Sequence, residues 1–293
     1  MPLLEPGEAD RLAVTVLVDD SVAQPDLVGR HGLSLWAEVT AGDTVSRFLI
    51  DTGPAADILG ENMARLEIDG STVDAVVLTH CHYDHTGGLV GLVGQTGRRG
   101  LPVLAHPAVF RPNFSTRPRL RHVGMDTADA QALARAGARL LLTRDPLPLM
   151  EGVTTTGEVP RVSGFEDPGH PGWWTIQDGR LLPDPMTDDI SLVVILKGRG
   201  LVVLTGCSHA GIINILKYAI SLTGVSQVHA VLGGFHLTGA RPERIEHTVS
   251  ELLALAPLTV APGHCTGTEA QFRLKQALGN RFKPLGAGAR FHF

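Results

Sequence analysis

The segment Thr79-His80-Cys81-His82-Tyr83-Asp84-His85-Thr86-Gly87-Gly88 limits the folds and functions open to this chain. It places three histidines and one aspartate within six residues, directly after an apolar stretch. Imidazole and carboxylate groups are ligands that divalent transition metals prefer. His80 and His82 are one residue apart and Asp84 and His85 are adjacent, so we expect each pair to bind its own metal ion. The alternative is a polar loop of unconnected histidines.

Hydrophobic patterning around this segment predicts an α/β protein in one domain, residues 1–293. The chain opens with strands, including a hairpin around Ala41-Gly42-Asp43, and residues 107–189 form a lid-like, proline- and arginine-rich insertion with one helix, Thr127–Ala136. The other predicted strands are 12–18, 34–39, 46–50, 73–78, 190–196, 200–204, 228–232 and one ending at 263, and the other helices are 54–66, 212–222 and 242–254.

Three later predicted strands also lead into a histidine. They end in Gly206-Cys207-Ser208-His209, Gly233-Gly234-Phe235-His236 and Gly263-His264. The carboxyl ends of strands in layered α/β proteins form the usual ligand crevice. We therefore expect these histidines to lie close to the segment 79–88.

Composition excludes several classes of protein. The 293 residues carry a net charge of −5, so there is no general basic field for binding nucleic acid. The N-terminus lacks the basic and apolar regions of a signal peptide, and the apolar runs are too short to span a membrane. The three cysteines, Cys81, Cys207 and Cys265, suit a reducing compartment. A cytoplasmic protein without a membrane partner is expected, and its oligomeric state stays open.

The segment 79–88 resembles the metal-binding loop of the metallo-β-lactamase superfamily. That resemblance implies a four-layer αββα sandwich, with Asp51 at an early strand end and later strand-end histidines completing the pattern. The motifs around Cys207, His236 and His264 further resemble the subgroup of 7,8-dihydropterin-6-ylmethyl-4-(β-D-ribofuranosyl)aminobenzene-5′-phosphate synthases.

The resemblance implies a ligand set for each of two divalent ions. We expect zinc, with manganese or iron as alternatives, and the sets are His80, His82 and His209 for one ion and Asp84, His85 and His264 for the other.

Cys207 occupies the position where hydrolases of the superfamily typically have a bridging aspartate. It is either a zinc-binding thiolate or a packed residue beside the ligand His209, and we favour the second interpretation because free cysteines are more often packed than coordinating.

Asp84 and His236 are the candidate catalytic residues. His236 would act as a general acid, as a donor to a developing oxyanion, or as a supporting histidine beyond the ligands. Asp51 is expected to orient the metal-binding loop, the alternative being a helix N-terminal aspartate. Two ions about 3.5–4 Å apart would polarise a water molecule and hold the electrophile, so no side-chain nucleophile is required.

The insertion supplies the candidate substrate-binding residues Arg117, Arg119 and Arg121, with Arg111 close by. Guanidinium groups suit phosphate recognition, although arginines on a solvated loop are common. Trp173-Trp174 would stack on a planar ring or, in the favoured interpretation, anchor the insertion to the core.

The expected function is a metal-dependent enzyme that acts on a small phosphorylated molecule, by hydrolysis or by displacement of pyrophosphate from a pterin. A nuclease, a lactonase or β-lactamase-like hydrolase, and a metal-binding redox module are the alternatives. Nucleic acid is not expected as a partner.

Overall fold

The computed structural model describes residues 7–116, 118–166 and 172–293. Among these residues, no helix is both long and apolar enough to cross a membrane. In chain order the strands are β1 Arg11–Val18, β2 Ser34–Ala41, β3 Thr44–Ile50, β4 Ala75–Val77, β5 Leu101–Ala105, β6 Asn113–Ser115, β7 Arg121–His122, β8 Ala138–Leu142, β9 Pro148–Met150, β10 Val153–Thr155, β11 Trp173–Gln177, β12 Arg180–Pro183, β13 Leu192–Leu196, β14 Gly200–Leu204, β15 Val228–Gly234, β16 Thr259–Gly263 and β17 Arg290–His292.

The α-helices alternate with these strands along much of the chain, as the patterning predicted. In chain order they are α1 Ala56–Arg65, α2 Tyr83–Thr86, α3 Leu89–Thr96, α4 Thr127–Ala136, α5 Ile212–Thr223, α6 Pro242–Leu255 and α7 Thr268–Leu278. Short 3₁₀ turns occur at Gly70–Thr72, Pro107–Phe110, His264–Thr266 and Gly279–Arg281.

Two large sheets form the centre of the molecule. The first has the strand order β17-β1-β2-β3-β4-β5-β8, and the second has the order β16-β15-β14-β13-β10-β9. Strand β13 packs apolar side chains on both faces of a buried sheet. Leu192 and Val194 face the core between the sheets, whereas Val193 and Ile195 face the helices outside. A continuous apolar run is therefore required here rather than alternation with polar residues.

Three apolar cores divide the molecule into four layers. The central core lies between the two sheets and joins, for example, Val14 of β1 to Val202 of β14. A second core packs α5, α6 and α7 on the outer face of the second sheet. A third packs α1, α3 and α4 on the outer face of the first sheet. The predicted αββα sandwich is confirmed.

The segment 107–189, expected as one lid-like insertion, divides in the structure. Strand β8 extends the first large sheet and strands β9 and β10 extend the second. Strands β6, β7, β11 and β12 form a separate four-stranded sheet of order β12-β11-β6-β7. This small sheet stands apart from the two large sheets, so among the described residues of the segment it is the part placed to cover the site.

Helix α1 begins at Ala56, later than expected, because residues 51–55 pack on the segment 79–88 first. The backbone N–H of Thr52 donates to the carbonyl of His85 at 2.7 Å, and Gly53 donates to Leu33 at 3.0 Å. Gly53 has a φ of 65°, which favours glycine. The helical segment can start only after these contacts are made.

Candidate metal centre

Strand direction gathers the predicted site at one edge of the sandwich. Strands β3, β4 and β5 are parallel to one another, and so are β14, β15 and β16. Their carboxyl ends deliver Asp51 after β3, the segment 79–88 after β4, and His209, His236 and His264 after the strands of the second sheet. Ligands from both large sheets therefore meet in one crevice, as expected for strand ends in α/β proteins.

The Gly-Gly pair of the metal-binding loop allows a very close approach of two backbones. A Cβ atom on Gly87 would lie 2.1 Å from the carbonyl oxygen of Pro54, and one on Gly88 would lie 2.3 Å from that of Thr52. Any side chain at either position would push the loop away from residues 52–54. The short helix α2, which carries Asp84 and His85, is held in place by this contact.

His80, His82 and His209 come together as the first ligand set. Nε2 of His80 lies 3.2 Å from Nδ1 of His82, and the ring of His209 is 4.6 Å from that of His80 and 5.0 Å from that of His82. All three are buried, and Nε2 of His209 has no hydrogen-bond partner among the described residues. Buried imidazole nitrogens facing one another in this way fit a bound cation.

Burial keeps these three histidines neutral. It lowers the pKa of His80 and His209 well below the ordinary value of 6.5, with neighbouring histidines adding to the effect, and it lowers the pKa of His82 to about 4. Neutral imidazole is the form that binds metal ions. The first set is therefore in the state that a metal ion requires at neutral pH.

Asp84, His85 and His264 form the second set. Oδ2 of Asp84 lies 3.3 Å from Nε2 of His264 and 3.7 Å from Nε2 of His85, and the two imidazole nitrogens are 3.1 Å apart. These two rings and the carboxylate are buried. The six residues proposed as ligands thus lie together in one crevice, and their division between two ions stays a prediction.

Asp51 orients one ligand from each set. Its Oδ2 accepts from Nδ1 of His85 at 2.6 Å and from the hydroxyl of Thr79 at 2.6 Å, and its Oδ1 accepts from the backbone N–H of Thr79 at 2.7 Å. The Thr79 hydroxyl also lies 3.0 Å from Nδ1 of His80. Because α1 begins five residues later, Asp51 supports the loop rather than a helix N-terminus. Carboxylates in this role fix the tautomer and orientation of metal-binding histidines.

Sequence reasoning missed a similar support for His264. The backbone N–H of His264 donates to Oδ1 of Asp19 at 2.9 Å, and its Nδ1 lies 2.7 Å from Oδ1 of Asp20. Asp20 also contacts Nδ1 of His31 at 3.0 Å, whose Nε2 is 3.4 Å from Oδ2 of Asp84. Two adjacent acidic residues at the end of β1 were the available signal, because β1 runs in the same direction as β3.

Cys207 lies between the two sets. Its Sγ is 3.1 Å from Nε2 of His85, and it belongs to two groups whose ligand atoms all lie within 4.8 Å of one another, one with His80 and His209 and one with His85 and His264. A third such group joins Cys207 to His236 and Cys265. The thiol therefore occupies the centre of the site rather than its edge.

A cavity of about 460 Å³ opens over both ligand sets. Its lining includes Tyr83, Arg121, Trp173 and Thr238 together with four of the ligand candidates, His82, Asp84, His209 and His264. The Trp173 ring centroid lies 4.4 Å from that of His82, 4.7 Å from that of His209 and 5.3 Å from that of His236. Trp173 also packs on the third apolar core, so it anchors the small sheet and faces the site at once.

The arginines predicted to bind substrate differ in their position relative to the cavity. Arg121 lines the cavity, Arg119 is exposed and lies outside its lining, and Arg117 lies outside the described residues. Arg111 serves the fold instead, because its guanidinium pairs with Asp184 at 2.8 Å and with Asp188 at 2.8 Å. Asp188 in turn accepts from the backbone N–H of Cys81, so this buried ion pair supports the metal-binding loop.

His236 reaches the same cavity from the end of β15. Its ring centroid is 4.4 Å from that of His209, and its backbone φ is 47°. It shares the cavity with the candidate ligands without joining either ligand set. This position suits contact with a bound molecule.

The four layers and the two ligand sets define a member of the metallo-β-lactamase superfamily, and the family model of that name matches residues 41–264. The chain belongs to this superfamily. It is 33% identical, over 99% of its own length and 100% of the relative's, to a protein of Methanocaldococcus jannaschii named 7,8-dihydropterin-6-methyl-4-(β-D-ribofuranosyl)-aminobenzene-5′-phosphate synthase. An uncharacterized protein of the same organism is 31% identical over 90% of this chain and 94% of its own length.

Among solved structures, Tm1679, a metal-dependent hydrolase of the β-lactamase superfamily, matches with a TM-score of 0.80. It is 28% identical, and the match covers 96% of this chain and 98% of that one. These relationships make the chain an enzyme of the metallo-β-lactamase fold, and the fold suggests divalent metal binding.

Proposed function

We propose that the enzyme acts on a small phosphorylated molecule carrying a planar ring, at a centre of two divalent ions, zinc being the expected metal. The reaction is displacement of diphosphate from a pterin-like methylene carbon. The observation that carries this proposal is the cavity over both ligand sets, which presents Trp173 and Arg121 together. The full-length similarity to a protein named as a dihydropterin aminobenzene-phosphate synthase supports the same chemistry.

Trp173 supplies a surface for a planar ring. Its indole lies against His82 and His209 and lines the cavity, so a ring bound beside the ligand sets can pack on it. Aromatic pairs contribute about 0.5–1.5 kcal/mol beyond the area they bury. Trp173 is therefore expected to favour pterin-like over aliphatic substrates.

Arg121 supplies the positive charge for a phosphate. It is the one guanidinium among the described residues that line the cavity, where the carboxylates of Asp20 and Asp84 would repel an anion. Hydrogen bonds between charged groups contribute about 1.5–3 kcal/mol. A phosphate held at Arg121 would place the rest of the molecule between this arginine and the ligand sets.

The reaction is a substitution at the methylene carbon, in which one bond forms and one breaks. The amine nitrogen of an aminobenzene forms a bond to this carbon, the bond from the carbon to the diphosphate oxygen breaks, and the amine loses one proton. Divalent ions bound by the two sets would neutralise charge on the departing diphosphate. His236 faces the cavity beside His209 and is the candidate to receive the amine proton.

Hydrolysis in the same pocket is the second candidate, favoured by the structural similarity to a metal-dependent hydrolase. The decisive assay follows pyrophosphate release from a dihydropterin methyl diphosphate, with and without an aminobenzene ribose phosphate. Release that requires the amine supports the proposed displacement, and release in its absence supports hydrolysis. Turnover of lactones or β-lactams alone would contradict the displacement and would assign hydrolysis of an unphosphorylated substrate.

Two variants separate the parts of the pocket. Arg121→Ala is expected to lower kcat/KM for the phosphorylated substrate about 10–100-fold, and Trp173→Leu about 3–10-fold. Arg119→Ala is the matched control, because it removes the same charge from the same segment outside the cavity lining. Equal losses from Arg119→Ala and Arg121→Ala would reject the phosphate contact.

A further inference from the structure

We propose that Cys207 is a ligand shared by both metal ions, bridging them as a thiolate where other members of the superfamily have a carboxylate. The proposal rests on the two-ion centre of the proposed function, and it concerns which atom joins the two ions. Neither the sequence comparison nor the six histidine and aspartate ligands assigns this role to the thiol.

The position of Sγ is the first argument. It lies within 4.8 Å of ligand atoms of His80 and His209 on one side and of His85 and His264 on the other. Zinc binds sulfur at about 2.3 Å and imidazole nitrogen at about 2.0–2.1 Å, so two ligands on one ion are separated by roughly 3–4 Å. The 3.1 Å between Sγ and Nε2 of His85 fits that spacing.

The number of ligands in each set is compatible with a shared Cys207 thiolate. Each of the two sets supplies three protein ligands, as catalytic zinc sites usually have, and leaves a fourth position that a shared ligand can fill. A thiolate shared between the sets gives each ion its fourth ligand. A substrate oxygen can then enter a fifth position, which catalytic zinc sites accommodate.

The surroundings of Cys207 differ from those of a cysteine that only fills space. Cys81, also fully buried, belongs to the apolar core beneath the first sheet. Among the described residues, Cys207 belongs to none of the three apolar cores, although it is only 3% exposed. If Cys207 only filled apolar space, we would expect it in one of these cores rather than among imidazole nitrogens.

The backbone holds Cys207 in this position with little freedom. A Cβ atom on Gly206 would lie 2.0 Å from the Thr79 hydroxyl, so the chain packs directly on the group that contacts Asp51. Ser208 has a φ of 60°, and its hydroxyl donates to the carbonyl of Gly234 at 2.6 Å. These contacts fix the direction of the thiol between them. The structure therefore presents a positioned ligand, as metal sites require.

The competing arrangement uses the third group. Cys265 donates from Sγ to the carbonyl of Cys207 at 3.5 Å, and Cys207, His236 and Cys265 have ligand atoms within 4.8 Å of one another. In that arrangement a single ion would bind two sulfurs and one nitrogen, and the two histidine sets would not share a ligand. Cys265→Ala separates the two arrangements because it removes a ligand from this third group alone.

Cobalt(II) substitution tests the proposal without relying on activity. Metal-free enzyme is titrated with Co²⁺, and equivalents bound and thiolate-to-cobalt charge-transfer absorption in the near ultraviolet are recorded. We expect the band to grow with both the first and the second equivalent in the wild type and in Cys265→Ala, and to vanish in Cys207→Ser. Cys81→Ala is a second control for a buried cysteine and should keep the band.

Cys207→Asp keeps the test valid if Cys207→Ser unfolds. It restores a bridging oxygen ligand, so we expect two equivalents of Co²⁺ to bind without the band. Two equivalents bound by the wild type with no band would overturn the thiolate proposal and leave the two-ion centre intact. A band lost equally in Cys265→Ala and Cys207→Ser would assign the metal to the third group. Binding of no Co²⁺ would overturn this proposal and the proposed function together.

Discussion

Four non-glycine residues of the candidate site have φ in the left-handed region. Asp51, Ser208, His236 and His264 have φ values of 57°, 60°, 47° and 47°. Such conformations cost on the order of 1–3 kcal/mol each and persist only where surrounding contacts fix them. At Asp51 and His264 those contacts are visible as hydrogen bonds between side chains of the site. Backbone strain is therefore present where ligand direction is set.

Asp51→Asn tests whether a supporting carboxylate controls metal affinity. The variant weakens the contact to Nδ1 of His85 and to the Thr79 hydroxyl, so we expect metal affinity to fall about 10–100-fold. Competition with a chromogenic chelator measures this. Asp74→Asn is the control, because Asp74 is an exposed acid whose carboxylate accepts from the backbone N–H of Arg47, away from the candidate site. Equal affinities for wild type and Asp51→Asn would contradict the assigned role.

The buried carboxyl group of Asp189 predicts that the stability of the fold depends on pH. Burial raises the pKa of Asp189 to about 8, and its Oδ2 accepts from the backbone N–H of Ala210 at 2.8 Å. Between pH 4 and 8 the unfolded chain releases this proton while the folded chain keeps it. The free energy of unfolding therefore falls as pH rises, by up to about 1.4 kcal/mol per pH unit.

Asp189→Asn removes that ionisation and keeps an oxygen acceptor for Ala210. Chemical denaturation of metal-free protein at pH 5, 6, 7 and 8 measures the difference between variant and wild type. We expect the variant to gain stability relative to wild type at each step upward in pH. A constant difference across this range would show that Asp189 is ionised in the folded chain.

At the scale of elements, parallel strand ends explain why so much of the site was predictable. A histidine after each of several buried strands requires only that these strands run in parallel, and the ligand candidates at His80, His209 and His264 follow that rule. Asp20 and His31 were missed because the candidate ligands that they contact, His264 for Asp20 and Asp84 for His31, lie on distant segments of the chain. Trp173 reaches the cavity through pairing of β11 with β6, which no local pattern encodes.

Helix α5 depends on a cap supplied by a distant residue. The carboxylate of Glu166 accepts from the backbone N–H groups of Ile213 at 2.9 Å and Asn214 at 2.8 Å. The helix itself begins after Gly211, which has no side chain to cap it. Because α5 directly follows His209, the capping contact also steadies the segment that carries this ligand.

Glu166→Ala is expected to lower the free energy of unfolding by about 1–2 kcal/mol, the usual cost of losing a cap. Urea denaturation measures the change, and Glu166→Gln should lose less because it keeps one acceptor oxygen. The matched control is Glu243→Ala in the first turn of α6, where no side chain caps the helix. A loss at Glu166 no greater than at Glu243 would mean that α5 does not need this contact.

For the whole molecule, the candidate metal centre takes its residues from both halves of the sandwich. His80, His82, Asp84 and His85 follow a strand of the first sheet, whereas His209 and His264 follow strands of the second. A metal ion bound by both groups binds the folded chain and has no preformed site in the unfolded one. Free metal at 100 times its Kd would stabilise the fold by about 2.7 kcal/mol for each ion.

Removal of metal is therefore expected to lower the Tm of the whole protein by about 5 °C or more in a single transition. Thermal unfolding of chelator-treated and zinc-loaded protein measures the shift. His264→Ala removes a ligand contributed by the second sheet, so its Tm should respond less to zinc than that of the wild type. A separate, metal-insensitive main transition in the wild type would show that the centre stabilises only its own loops. An equal Tm with and without zinc would argue against metal binding across the two sheets.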